Sequence, residues 1–115
     1  MNETDRLHGQ LLSLNEKISQ LSDQLDRYFD IKHNNIEEIE TLKSNRSNLE
    51  LEREKINQEF LIACSTEKEI LIKRGKDNGI INLDKLIGTY DEKIKTNPYN
   101  AIMYLRDMIN LGTGK

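Results

Sequence analysis

The chain has 115 residues, of which 32% are charged and 36% are hydrophobic, and its formal net charge is −3. This length suits no more than one ordinary domain, and the mild charge does not favour nucleic acid or an anionic membrane as a partner. No apolar run is long enough for a membrane span or a signal peptide, and the lone cysteine, Cys64, excludes an internal disulfide. We therefore expect a cytoplasmic protein, or one inside a host cell if the chain is viral.

The main pattern in the sequence is a seven-residue repeat. Eight of its ten d positions are apolar, and the set is Leu7, Leu14, Leu21, Tyr28, Asn35, Leu42, Leu49, Ile56, Ala63 and Ile70. The a positions, three residues before a d position, include Leu11, Ile18, Leu25 and Ile39. A period of about 3.5 residues places one narrow apolar stripe along a helix, and such a stripe predicts a coiled coil.

The stripe is interrupted at His33-Asn34-Asn35, and this segment has two interpretations. In the first, one helix continues from residue 4 to residue 74 as a rod of about 105 Å. In the second, the segment is a turn, because Asn favours turns, and the chain folds back as a helical hairpin. We favour the rod, because the same heptad phase holds on both sides of the interruption.

The carboxy-terminal part predicts a separate helical module. Gly75 and Gly79 end the long helix, Asn82 precedes a short helix, and Asn97-Pro98 opens another. The predicted fold is all-α. It comprises a coiled-coil rod over residues 1–74, a turn or linker over 75–79 and a C-terminal helical hairpin over 80–115.

The sequence contains no pattern typical of an enzyme. His33 has only Glu37 and Asp30 nearby as further metal ligands, and Cys64 lacks a neighbouring base. We expect no catalytic residue, no cofactor, no metal and no small-molecule ligand.

The expected function is therefore oligomerisation and binding of another protein, as a scaffold, an adaptor or a structural subunit of a larger assembly. A homodimer is the favoured oligomer, and Tyr90, Tyr99 and Tyr104 are candidate contacts for another protein. The residues expected to form the self-association seam are Leu7, Leu11, Leu14, Ile18, Leu21, Leu25, Ile39, Leu42, Leu49 and Ile56.

An alternative function is that of a nucleic-acid-associated accessory protein that dimerises through the coiled coil. Basic residues near the end of the rod and in the C-terminal module would then contact phosphates. The candidates are Lys73, Arg74, Lys76, Lys85 and Arg106.

Overall fold

The computed structural model describes residues 2–30 and 36–113, and the regular structure in these two ranges is entirely helical. Helix α1 spans Glu3–Asp30, α2 spans Ile36–Asp77, α3 spans Leu83–Lys93 and α4 spans Pro98–Gly112. The predicted all-α fold is thus confirmed. The segment His33-Asn34-Asn35, for which a turn was one interpretation, lies outside the described residues.

The chain divides into two compact units, Met1–Glu59 and Phe60–Lys115. We call them unit 1 and unit 2. Unit 1 contains α1 and the first part of α2, whereas unit 2 contains the last part of α2 together with α3 and α4. The predicted linker at 75–79 falls inside unit 2, where α2 ends.

In unit 1, α1 and α2 lie side by side and antiparallel. Arg53 Nη1 donates a hydrogen bond to Asn15 Oδ1 at 3.0 Å, and the Tyr28 hydroxyl donates to a Glu38 carboxylate oxygen. In one continuous helix Asn15 and Arg53 would be about 57 Å apart, at about 1.5 Å per residue. The rod over residues 4–74 is therefore wrong, and the hairpin interpretation agrees with the described residues.

The register of this pair explains why the heptad phase is the same in both helices. The residue numbers of the two hydrogen-bonded pairs add to about 67, which places Leu25 opposite Leu42 and Ile18 opposite Leu49. Each such layer joins an a position of one helix to a d position of the other. A constant phase along the sequence is thus compatible with reversal of the chain, and it gave no support to the rod.

Pairing within one chain covers much of the stripe on α1. Leu11, Leu14, Ile18 and Leu25 are 9, 5, 9 and 2% exposed in the single chain. The corresponding residues of α2 are less well covered, and Ile39, Leu42, Leu49 and Ile56 are only half-buried. A second chain is therefore not needed to bury the α1 stripe, and self-association through the seam stays a prediction.

Unit 2 has a core of its own, formed by side chains of all three of its helical segments. Side-chain hydrogen bonds join α2 to the short helices. Lys68 bonds to Asp91 of α3, Arg106 of α4 bonds to Glu67, and Arg74 bonds to Asn110 of α4. The C-terminal helices thus dock on the end of α2 within this unit. Its buried residues are Phe60, Ala63, Cys64, Leu71, Gly75, Leu83, Leu86, Tyr90, Ala101, Ile102, Leu105 and Ile109.

Local signals in the sequence account for three of the helix ends. Asn2 Oδ1 accepts a hydrogen bond from Asp5 N, and Asn97 Oδ1 accepts one from Asn100 N, so both residues cap helices. Asn82 precedes α3, but its side chain makes no capping bond.

The end of α2 forms a Schellman motif around Gly79, whose φ of 66° lies in the left-handed region. Ile80 N donates to Gly75 O at 3.0 Å and Gly79 N donates to Lys76 O at 3.2 Å. Gly75 is also needed for close packing, because a Cβ atom there would lie 2.9 Å from Leu83 Cδ1.

Candidate protein-binding groove

A groove runs along one side of the α1–α2 pair in unit 1. It consists of two adjoining open cavities, of about 700 Å³ and about 450 Å³, which share Gln24. The larger cavity is lined by Gln24, Arg27, Tyr28, Glu37, Glu38, Thr41 and Leu42. The smaller one is lined by Lys17, Gln20, Leu21, Gln24, Asn45, Asn48, Leu49 and Glu52.

Four d-position side chains lie along the floor of the groove: Leu21, Tyr28, Leu42 and Leu49, all of them half-buried. A pair of helices covers an apolar stripe where the helices touch and leaves its flanks open to water. The groove is one such flank, and it offers partly exposed leucine surface that a third helix could cover.

The two walls of the groove carry opposite charges. Lys17 and Arg27 lie on the α1 wall, whereas Glu37 and Glu52 lie on the α2 wall. All four side chains are exposed. Amide side chains lie between the charges, and each amide can both donate and accept hydrogen bonds. These amides are Gln20 and Gln24 on α1, and Asn45 and Asn48 on α2.

Sequence reasoning found the stripe but not the groove. The charged wall residues lie outside the a and d positions, and in a parallel coiled coil they would not come together. Their segregation by sign holds only among the lining residues, because α1 as a whole carries more acids than bases and α2 carries both signs. The basic and acidic lining residues form two facing walls only because the two helices are antiparallel neighbours.

Tyr90 does not reach the surface of unit 2, so it is not available as a partner contact. Its side chain is 1% exposed, and its hydroxyl has no hydrogen-bond partner among the described residues. Burial raises the pKa of Tyr90 to about 12. Its ring also lies 5.2 Å from Lys68 Nζ, and that ammonium group forms a 3.0 Å ion pair with Asp91. Tyr90 is thus a core residue, and its ring forms part of the buried face of α3.

Tyr99 and Tyr104 are both half-buried and keep part of their surface accessible. Lys93 Nζ lies 5.4 Å from the centre of the Tyr104 ring, within the range of a cation–π contact. The two tyrosines therefore remain candidate contacts for another protein.

Cys64 is fully buried in unit 2. Burial, with a smaller contribution from Glu67, raises the pKa of its thiol to about 11. A reactive cysteine needs a lowered pKa and access to solvent. Cys64 has neither property and is a core side chain.

The basic residues considered for phosphate binding do not act as one group. Arg106 Nε and Nη2 donate to the two Glu67 carboxylate oxygens at 2.7 and 3.0 Å, so this guanidinium is already neutralised within unit 2. Arg74 donates to Asn110 at 3.0 Å. Lys73, Lys76 and Lys85 are exposed. The set therefore loses Arg106, the one member that α4 contributes.

Comparison of the chain with protein families, with curated proteins and with solved structures found no match. Over the described residues, no group of three or more His, Cys, Asp or Glu side chains could hold a metal ion. None of the described helices combines the length and apolar character that a membrane span requires.

Proposed function

We propose that this chain is a non-enzymatic protein-binding component that serves as a scaffold, adaptor or structural subunit, and that it binds through the groove of unit 1. One observation carries the proposal: Leu21, Leu42 and Leu49 are half-buried along an open groove whose walls offer charges and amides. A helix with a matching apolar edge would cover the leucines and bind the walls through polar contacts.

The composition of the groove also indicates how strong this binding is. Covering the surface that each of the three leucines still exposes contributes at most about 1 kcal/mol apiece. This gain is small beside the cost of immobilising two molecules, and permanent complexes use larger and more apolar surfaces. We therefore expect a reversible interaction whose specificity comes from the charged walls.

Site-specific photo-crosslinking in the cells that make the protein tests this proposal. A photoreactive residue would replace Gln20 or Asn48 in the groove, and in the controls it would replace Ser19 or Ser47. The controls are the sequence neighbours, they are equally exposed, and they lie outside the groove lining.

We expect discrete adducts with one protein, identified by mass spectrometry, from Gln20 and Asn48 but not from Ser19 and Ser47. A Leu49→Asp change should abolish these adducts, because it buries an unpaired charge in the interface. Adducts of equal yield at all four positions, or none at any, would refute the proposal.

A further inference from the structure

We propose that the groove of unit 1 binds a second copy of the same chain, with the twofold axis parallel to the helices. In this dimer α1 of each copy lies against α2 of the other. The inference rests on the proposed function of the groove and specifies its partner. It follows from the charge pattern of the groove walls, from the register of α1 and α2, and from the symmetry of a homodimer.

The charges of the groove are complementary to those of a second copy. The α1 wall carries Lys17 and Arg27, and the α2 wall carries Glu37 and Glu52. When two such faces meet with α1 opposite α2 of the other copy, each basic wall faces an acidic wall. The twofold axis repeats both contacts, so these four charges of each copy are paired. Glu38, the remaining acid of the α2 wall, accepts a hydrogen bond from the Tyr28 hydroxyl of its own chain.

The register places the opposite charges at matching heights. Since paired residue numbers add to about 67, Lys17 is level with about residue 50 of α2, and Arg27 with about residue 40. Rotation about an axis parallel to the helices preserves these heights. Glu52 and Glu37 then lie within about 3 and 5 Å, along the helix, of the levels of Lys17 and Arg27. Long side chains span such offsets.

The same charges disfavour the other symmetric arrangement of two faces. A twofold axis across the helices would set each helix against its own copy. Lys17 and Arg27 would then face the bases of the partner, and Glu37 and Glu52 would face its acids. Like charges in contact destabilise an interface, so the charge pattern selects the parallel axis.

The central part of the groove suits this pairing as well. Gln20 and Gln24 of one copy would face Asn45 and Asn48 of the other, and amides can bond to one another in both directions. The half-buried leucines of both copies would gain a second layer of helices. The product is a four-helix bundle in which every helix is antiparallel to its two neighbours, a common arrangement for helical proteins.

Charge reversal on one wall at a time tests the inference. One variant carries Lys17→Glu and Arg27→Glu, and the other carries Glu37→Lys and Glu52→Lys. Each variant alone should weaken self-association at least about tenfold, because the wall charges that face each other across the two copies become alike. An equimolar mixture should form a one-to-one heterodimer in native mass spectrometry, because both contacts regain opposite charges.

Two further variants serve as controls. Glu16→Lys with Glu40→Lys changes the net charge as much as Glu37→Lys with Glu52→Lys, but at exposed positions outside the groove lining, and it should leave the dimer intact. The chain with Lys17, Arg27, Glu37 and Glu52 all reversed should dimerise like the unaltered chain, since each of the proposed pairs keeps its opposite signs. Circular dichroism of each variant reports whether the helices are retained.

Three results would overturn the inference. The first is a wild-type chain that stays monomeric up to high concentration in light scattering. The second is a dimer that ignores the reversals, and the third is a pair of single-wall variants that mixing does not rescue. None of these results touches the broader proposal, which fails only in the crosslinking experiment. An adduct with a different protein there would support a protein-binding groove and exclude the second copy as its occupant.

Discussion

Arg53 Nη1 lies 3.0 Å from Asn15 Oδ1, although the two residues are 38 positions apart in the sequence. Arg53 occupies an a position of the heptad repeat, where a charged side chain is unfavourable in a tight two-stranded coiled coil. In the antiparallel pair it is half-buried and has a polar neighbour on α1. Arg53, which is unfavourable in the predicted coiled coil between two chains, thus finds a polar partner when α1 and α2 pair within one chain.

The antiparallel pairing predicts a short distance between Ser19 and Ser47, whose numbers add to 66. Both are exposed, so spin labels can be attached through cysteines in a Cys64→Ala background. Helices in contact have axes about 8–10 Å apart, and we expect label distances below about 25 Å. A continuous helix would separate the two residues by about 42 Å. Double electron–electron resonance distinguishes these values, and a peak near the longer one would contradict the hairpin.

Gly75 and Gly88 form a matched pair for testing the packing of unit 2. At Gly75 a Cβ atom would lie 2.9 Å from Leu83 Cδ1 and 3.1 Å from Ile109 Cδ1, whereas at Gly88 nothing lies within 4 Å. Overpacking at Gly75→Ala costs about 1–3 kcal/mol, and the helix preference of alanine offsets about 0.5–1 kcal/mol of it, so the free energy of unfolding should fall by up to about 2 kcal/mol. Gly88→Ala should raise it by about 0.5–1 kcal/mol, because alanine favours the helix. Urea unfolding measures both, and equal effects would argue against close packing at Gly75.

The Glu67–Arg106 pair should contribute more to stability than the exposed pairs of the same unit. Its side chains are 15 and 19% exposed, whereas those of Glu92 and Lys95 are 76 and 68% exposed. Arg106→Ala removes two charge-assisted hydrogen bonds from a largely buried carboxylate, and we expect a loss of about 2–3 kcal/mol in thermal or urea unfolding.

Lys95→Ala is the control and should cost less than about 0.5 kcal/mol. A double-mutant cycle with Glu67→Gln would isolate the coupling between Glu67 and Arg106. A coupling near zero would show that the bidentate contact does not form in solution.

The buried hydroxyl of Tyr90 predicts an unusual result for Tyr90→Phe. Because this hydroxyl has no hydrogen-bond partner among the described residues, its removal should be neutral or stabilise the protein by up to about 1 kcal/mol. Tyr90→Ala should instead cost about 3–5 kcal/mol, since it leaves a cavity in the core. A clear loss of stability in Tyr90→Phe would indicate a hydrogen bond that the structure lacks.

Alkaline pH should destabilise unit 2, because the buried thiol of Cys64 and the buried hydroxyl of Tyr90 keep their protons more tightly in the folded chain. The pKa of the Cys64 thiol is raised from 9.0 to about 11, and that of Tyr90 from 10.0 to about 12. Above the unfolded pKa the unfolded chain releases a proton that the folded chain retains, so the stability falls as the pH rises toward the folded value. We expect urea midpoints to fall between pH 9 and 12. Cys64→Ala should reduce the fall in urea midpoint at the lower end of this pH range, and Tyr90→Phe should reduce it at the upper end. If both variants show the same pH dependence as the wild type, these two groups do not cause it.

By itself the sequence determined the features that depend on near neighbours. The heptad repeat predicts helices, Asn97 with Pro98 marks the start of α4, and Gly79 marks the end of α2. Each signal acts within a few residues, through capping bonds or backbone angles that one residue type favours. Such signals are independent of how the helices pack, and this is why they could be read directly.

Only the tertiary structure decided which surfaces are covered and which remain open. The apolar repeat reads the same for a rod and for an antiparallel pair, because the pairing exchanges a and d positions without changing the phase. That choice buries Leu14 and leaves Leu49 half-covered at the groove. In unit 2, likewise, the packing of the helices buries Tyr90 and brings Arg106 to Glu67, 39 residues away in the sequence. Burial depends on contacts between residues distant in the chain, and no local pattern encodes those contacts.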